Sequence, residues 1–330
     1  MVEIAKPPSP AQSSSPHPHP PSTPPPQTSS SYFVSAQDVL EKLRTAPNGT
    51  YAATPNLAST AEYFQGGREG DVLVSKLGET HEEYLLRGVF DISRNDFYFV
   101  PDGNFNPANS FQGKFEDVKL SCRLTASHHK DFKFSREDFH AIVKNIHALE
   151  NLIPKEKNEE VKSIIQPSAA GDTIRLSHSL FKKKTHTAED GDNDQDSVSS
   201  DALTDPSLGP DFEMSTWPVA TNCKSVLNEL ATSHVIQPLP AWDVCHDLIP
   251  PRDYQQKLMG ATVEVHMALV HHFIKSKKSH VFTLYLREMI VRRKPANLPT
   301  SPFKRRRLGT GPASEKLVKS KGKEKEKETK

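Results

Sequence analysis

From Thr262 to Ile290 the chain reads as two alternating runs. Val263, Val265, Met267, Leu269 and Phe273 alternate with Thr262, Glu264, His266, Ala268 and His272, while Phe282, Leu284, Leu286 and Ile290 line one side of a second run. Successive side chains of a strand point to opposite faces, so each run predicts a half-buried strand. The polar connection KSKKS is short, which makes the pair a hairpin. A lone hairpin is marginal in water, and this one carries more apolar residues than two strands can hide. It needs a sheet to join.

The same period recurs between Asp71 and Thr125. DVLVSKL, EEYLLRGVFDI, DFYFV and FEDVKLSCRL are rich in aromatic and β-branched residues and are separated by ISRND and PDGNFNPANS, which predicts four strands. Helical spacing appears twice. Ser35 and Asp38 form a capping-box pattern before Val39, Leu40 and Leu43, and Ser135 with Asp138 precede Phe139, Ile142, Val143, Ile146, Leu149, Leu152 and Ile153. The expected fold is therefore α+β: one small β-rich sheet or open, OB-like barrel, with the amphipathic helix packed on it and the hairpin completing it.

Composition restricts how much of the chain folds. Of 330 residues, 27 are Pro and 35% are hydrophobic, too few apolar positions to bury the whole length. Residues 1–31 interleave Pro with Ser and Thr and read as a disordered arm. An ordered segment spans 32–154, a charged and then acidic stretch at 155–215 reads as a disordered insertion, the hairpin segment occupies 216–295, and a basic disordered tail fills 296–330. A short helix is expected at CKSVLNELATSH.

PLPAWDVCHDLIPPRDYQQKLMGATVEVHMALVHHFI, residues 238–274, carries a resemblance. Trp242, Asp243, Asp247, Leu248, Ile249, Pro250, Pro251, Tyr254, Lys257, Leu258, Gly260, Ala261, Val263, Glu264 and Val265 resemble a segment that recurs in proteins of mushroom-forming fungi, clearest from Trp242 to Ile274. The resemblance implies a shared module and does not specify what that module does. Physically the stretch reads as a clasp: Pro250 and Pro251 stiffen it, Tyr254 and Leu258 can pack as a helical-turn pair, and Gly260 frees the backbone to enter the strand.

Formal net charge is +1, yet the charge is segregated. Residues 187–213 hold nine acids and no Lys or Arg, whereas 292–330 hold fourteen bases and four acids. The most apolar window, residues 261–274, is too short to cross a bilayer and the N-terminus lacks an apolar core, so a soluble, intracellular protein with no membrane partner is expected. Cys122, Cys223 and Cys245 have no metal-knuckle spacing, and His266 and His272 on one strand face would lie roughly 20 Å apart, too far to share an ion. No phosphate loop, dinucleotide fingerprint or HExxH is present. No metal, no cofactor and no catalysis are expected.

Binding is the remaining class. Lys275, Lys277, Lys278, Arg287, Arg292, Arg293 and Lys294 lie beside aromatic residues of the hairpin, a combination suited to single- or double-stranded nucleic acid, and the tail adds salt-sensitive affinity. A protein-interaction adaptor in chromatin or cell-cycle control is the alternative. Lys304, Arg305, Arg306 and Arg307, between Pro302 and Leu308, resemble a nuclear localisation signal, so nuclear residence and an import receptor are expected. Ser9, Ser15, Thr23 and Ser301 each precede a Pro and suit a proline-directed kinase; phosphate on Ser301 would oppose the adjacent basic cluster.

Overall fold

The structure, a computed structural model, describes residues 34–46, 50–66, 70–76, 81–184 and 208–296. In chain order the regular elements are α1 (Ala36–Thr45), β1 (Thr50–Tyr51), β2 (Ala61–Phe64), β3 (Asp71–Ser75), β4 (Leu85–Ile92), β5 (Lys119–Thr125), α2 (Lys133–Glu150), β6 (Glu160–Lys162), β7 (Ile165–Ser168), β8 (Gly171–Ser179), β9 (Phe181–Lys183), α3 (Lys224–Leu230), β10 (His234–Ile236), β11 (Ala241–Trp242), α4 (Tyr254–Leu258), β12 (Thr262–Ile274) and β13 (Ser279–Arg293). The Ser35–Asp38 capping box forms, and Val39, Leu40 and Leu43 of α1 are buried.

The predicted hairpin is β12–β13, turning through Lys275–Lys278. It does join a sheet. β12 pairs antiparallel with β4 from Thr262 opposite Asp91 to Ala268 opposite Leu85, then with β3 at Val270 and Val72. A register shift between His266 and Met267 marks a bulge in the hairpin ladder; such a bulge bends a strand. β4 also pairs with β5, β5 with β8, and β8 lies parallel to β13. The order β4–β5–β8–β13–β12 thus returns to β4 and closes a five-stranded ring, an α+β, OB-like barrel that is closed rather than open.

Alternation fixes the inside of the ring. Leu120, Cys122 and Leu124 of β5, Ile174 and Leu176 of β8, and Leu284 and Leu286 of β13 are all buried. β12 departs from the half-buried expectation, because the ten residues from Thr262 to His271 are all buried, both faces included. Glu264 and His266, read as solvent-facing, are therefore enclosed. Such groups require partners, and both have them.

α2 buries Ile142, Val143, Ile146 and Leu149 against the barrel, with Phe139 edge-on to Phe90 at 6.4 Å. Its start differs from the expected capping box. The helix begins at Lys133, two residues earlier, and Ser135 lies inside it. The Ser135 hydroxyl donates to Val89 O at 2.6 Å and accepts from Ser127 N at 3.0 Å, while Asp138 accepts the Tyr51 hydroxyl at 2.7 Å. Tertiary partners have taken both capping groups.

Two other expectations are corrected. DFYFV is not a fourth strand: Asp96 sits at a φ of 52° and Pro101 supplies no N–H, and the stretch's backbone bond to β5 is that of Tyr98 N donating to Ser121 O at 2.7 Å. Residues 155–184 of the expected insertion form β6 to β9 instead of a disordered segment. Ile164, Ile165, Ile174, Leu176, Leu180 and Phe181 are buried there, and the Lys, Glu and Ser between them occupy the solvent face of short strands. Residues 208–215 are ordered too, with Phe212 buried; only 185–207 of that stretch lie outside the described residues.

The clasp reading of residues 238–274 is built in detail. β11 adds in parallel to β13, Tyr254 is fully buried and its hydroxyl accepts from Leu239 N at 2.9 Å, and Asp243 closes a turn by accepting from Cys245 N at 2.8 Å and Asp247 N at 3.3 Å. Gly260 takes a φ of 88° with the Arg94 guanidinium 2.7 Å from where a Cβ would stand. The positive φ would strain a side chain there, and the flexible Arg94 guanidinium would have to move aside.

Since β12 and β13 complete a ring begun before residue 185, a protease site engineered between 185 and 207 should yield two fragments that co-elute in native size exclusion and separate only in denaturant. Independent elution would contradict the barrel.

Candidate functional site

The outward side of the β5–β8–β13 surface follows from register. Ser121 faces Ser177, Arg123 faces Arg175 and Lys119 faces Ser179 across β5 and β8, and Ser177 in turn faces Tyr285 of β13. These residues alternate with the buried interior set, so they share the outer face. Tyr98, joined to Ser121 through its backbone, is 40% exposed between the buried Phe97 and Phe99. Tyr98, Ser121, Ser177 and Tyr285 therefore form one row across the surface. The two aromatic residues at its ends are accessible, Tyr98 exposed and Tyr285 half-buried, whereas Ser121 and Ser177 between them are covered, at 5% and 6% exposure.

Cations flank this row on both sides. Lys119 donates to the Tyr285 hydroxyl at 2.7 Å and lies 5.0 Å from its ring centroid. On the other side Arg123 pairs with Asp96 at 2.8 Å and donates to Thr173 at 3.2 Å, while Arg175 is exposed and forms no ion pair among the described residues. Arg123 is thus held in place, and Arg175 is available to a ligand.

The two loops beside the face are the β4–β5 connection, residues 93–118, and the β12–β13 turn. The first is pinned by Trp217 Nε1 donating to Pro101 O at 2.7 Å and by Asn106 N donating to Gln112 Oε1 at 2.6 Å, and it displays Phe111, 97% exposed. The second carries Lys275, Lys277 and Lys278, all exposed, after the exposed Phe273 and Ile274. Two buried histidines between partly exposed carboxylates brace its base. Asp71 meets His271 Nδ1 at 2.9 Å, His271 Nε2 meets His280 Nδ1 at 2.9 Å, and His280 Nε2 meets Glu159 at 2.8 Å. Burial pushes His271 below its ordinary value, against the hydrogen bond to Asp71.

The other sequence-predicted basic residues divide. Arg287 lies one outward position beyond Tyr285 and is held by Glu83 through Nε at 2.8 Å. Arg292 is enclosed, with an 8% exposed side chain bonded to Glu264 through Nε at 2.9 Å, so it is not presented to a ligand. Arg293 pairs with Asp131 at 2.8 Å and lies over the Phe132 ring at 5.3 Å. Lys294 is exposed and lines a separate cleft with Arg94, Arg252 and Lys257. The structure thus gathers Lys275, Lys277 and Lys278 at one end of β13 and leaves Arg292 to Lys294 at the other. Lys304 to Arg307 and Ser9, Ser15, Thr23 and Ser301 lie outside the described residues.

Lys119, Arg123, Arg175, Tyr98 and Tyr285 were not singled out by the sequence. The signal was present in KLSCRLT and TIRLSHS, whose polar positions alternate with apolar ones. The second lies in the charged stretch whose composition reads as a solvated insertion, and that composition masks its strand.

No family model and no curated protein matches the chain. Two solved structures are similar: gp2.5, a single-stranded DNA-binding protein encoded by bacteriophage T7, and a single-stranded DNA-binding protein from bacteriophage Enc34. The first has a TM-score of 0.31 at 10% identity and covers 64% of this chain and 93% of its own. The second has a TM-score of 0.32 at 8% identity and covers 73% of this chain and 95% of its own.

Asp243, Cys245 and Asp247 bring their ligand-type atoms within 4.8 Å of one another. The Asp243 carboxylate is spent on two backbone N–H groups and on Lys257 at 3.1 Å, which makes the cluster a turn closure. Among the described residues no helix is long and apolar enough to cross a membrane.

Proposed function

We propose that this chain binds single-stranded nucleic acid across the outer face of β5, β8 and β13, acting by binding rather than by catalysis. The observation that carries the reading is the Tyr98–Ser121–Ser177–Tyr285 row with cations on either side. Bases of a single strand have open faces that can stack on Tyr98 and Tyr285, and its phosphates can be met by Lys119 and Arg175. A duplex keeps its base faces stacked internally and would not use the row. In OB-folds the second and third barrel strands and the loops after the first and fourth form the oligonucleotide face. Here these are β5, β8, residues 93–118 with Phe111, and the lysine turn.

Nuclear residence is part of this reading and is supported by Lys304, Arg305, Arg306 and Arg307, which suit an import receptor. Proline-directed phosphorylation of Ser301, next to that cluster, would oppose import by charge repulsion.

The deciding experiment is retention of the full chain on an immobilised single-stranded oligonucleotide across a salt series. Retention at low salt with a steep salt dependence is expected. Arg175→Ala and Lys119→Ala should each lower the slope of log affinity against log salt by about 0.7, the value for one phosphate contact to a single strand. No retention at low salt would sink the reading and favour the protein-adaptor alternative.

A further inference from the structure

The face contains a gap. β13 pairs with β6 at Ser279–Val281 and with β8 at Leu284–Tyr285, so Phe282 and Thr283 fall between the two ladders. On the other side β8 pairs with β7 at its start, and Arg175 N donates to Ile164 O at 2.9 Å where β6 gives way to β7. The β6–β7 segment therefore enters as a wedge that holds β8 and β13 apart. A cavity of about 360 Å³ opens there, lined from the wedge, β8 and β13.

Its lining is one-sided in charge. Lys119, Lys162 and Arg175 contribute cations, all three residues are exposed, and no carboxylate lines the cavity. Its wall along β13 comprises Val281, Phe282, Thr283 and Leu284, of which Val281 and Thr283 share the outward face with Tyr285. Lys162 has Glu160 only at 3.8 Å, an exposed pair of little strength. Thr283 lies two residues from Tyr285, about 6.7 Å along the strand. That is a span one nucleotide of an extended chain can bridge.

Resting on the proposed single-strand reading, we infer that this cavity receives one nucleotide of the bound strand, next to the one stacked on Tyr285. Its base lies against Val281 and Thr283 and its phosphate beside Lys162 and Arg175, with Lys119 at the Tyr285 end of the cavity. The volume is near the small end of the range for small-molecule sites, about 300–1,000 Å³. A free nucleoside monophosphate is then a ligand in its own right, in addition to the polymer.

The test is calorimetric titration of the full chain with thymidine and deoxyadenosine monophosphates, with inorganic phosphate, and separately with a single-stranded oligonucleotide. Saturable mononucleotide binding, at least tenfold tighter than phosphate, is expected. Thr283→Trp, which fills the cavity, and Lys162→Glu should each weaken it by tenfold or more; the second variant serves if the first does not fold. Oligonucleotide binding by the unaltered chain without mononucleotide binding, or mononucleotide binding unchanged in both variants, overturns the pocket and leaves the face. Phosphate binding as tightly as the mononucleotide overturns base capture. Binding of neither nucleic-acid ligand overturns the proposed function and this inference with it.

Discussion

Replacing Glu264 with Ala is expected to cost about 3–5 kcal/mol of unfolding free energy, the loss associated with breaking a buried ion pair. The urea midpoint should fall with an unchanged slope. Glu264 is 1% exposed on β12, and it binds His266 Nε2 at 3.1 Å and the Arg292 guanidinium through Nε at 2.9 Å and through Nη2. Removing the carboxylate leaves an enclosed guanidinium with no counter-charge, and that orphan is the source of the cost. Exchanging Glu264 and Arg292 together for Leu and Met should recover most of the loss, because no charge then remains buried. Arg292→Ala should likewise act on stability first, which separates it experimentally from Arg175.

The pH dependence has a definite sign. Burial pushes the Glu264 carboxyl up, but the His266 hydrogen bond and the Arg292 guanidinium outweigh that and hold it at about 2, below the ordinary 4.5. Its folded pKa is lowered, so its contribution is complete above the unfolded value and is lost as pH falls from 4.5 towards 2. In Glu264→Ala that part of the acid-induced loss should disappear. A mutant as stable as the parent at neutral pH would refute the buried-pair account.

How much of this was legible in the sequence depends on the element. β12 and β13 announce themselves because Val263 to Phe273 and Phe282 to Ile290 keep period two over long runs, and they supply the reason a sheet was expected to form across the intervening stretch. β6 to β9 do not, since each is short and its buried residues, Ile164, Ile165, Ile174 and Leu176, are separated by Lys, Ser and Arg that composition alone assigns to a solvated segment. Ring closure was equally hidden. It requires β12 to lie against β4 and β8 to lie parallel to β13, and neither pairing leaves a trace in local pattern. The binding face suffered from the same limit. Lys275 to Lys278 stand out as a run, whereas Tyr98, Lys119, Arg175 and Tyr285 are isolated in four separate stretches and become neighbours only through register. Arg292 shows the reverse: adjacency to Arg293 and Lys294 suggested one basic patch, but successive residues of a strand point to opposite faces, and Arg292 turns inward to Glu264.

The largest expected effect on binding is that of removing both aromatic ends of the row. Tyr98→Ala and Tyr285→Ala should each lower affinity for a single-stranded oligonucleotide by roughly 30-fold, about 2 kcal/mol, within the range for one base–aromatic stack. Tyr98 and Tyr285 are three strand intervals apart, about 14 Å at ordinary sheet spacing. Substitutions so separated act independently unless they share a partner, so the double variant should lose about a thousandfold. Tyr285→Phe distinguishes stacking from hydrogen bonding. It keeps the ring and removes the hydroxyl that Lys119 holds at 2.7 Å. Near-parental affinity in Tyr285→Phe, with the loss confined to the Ala variants, is the signature of stacking. Thermal unfolding supplies the control, since Tyr98 is 40% exposed and Tyr285 half-buried on the outer face, away from the interior set of Leu120, Leu176 and Leu284. A double variant that folds normally and still binds the oligonucleotide at parental affinity would remove the row from the interface.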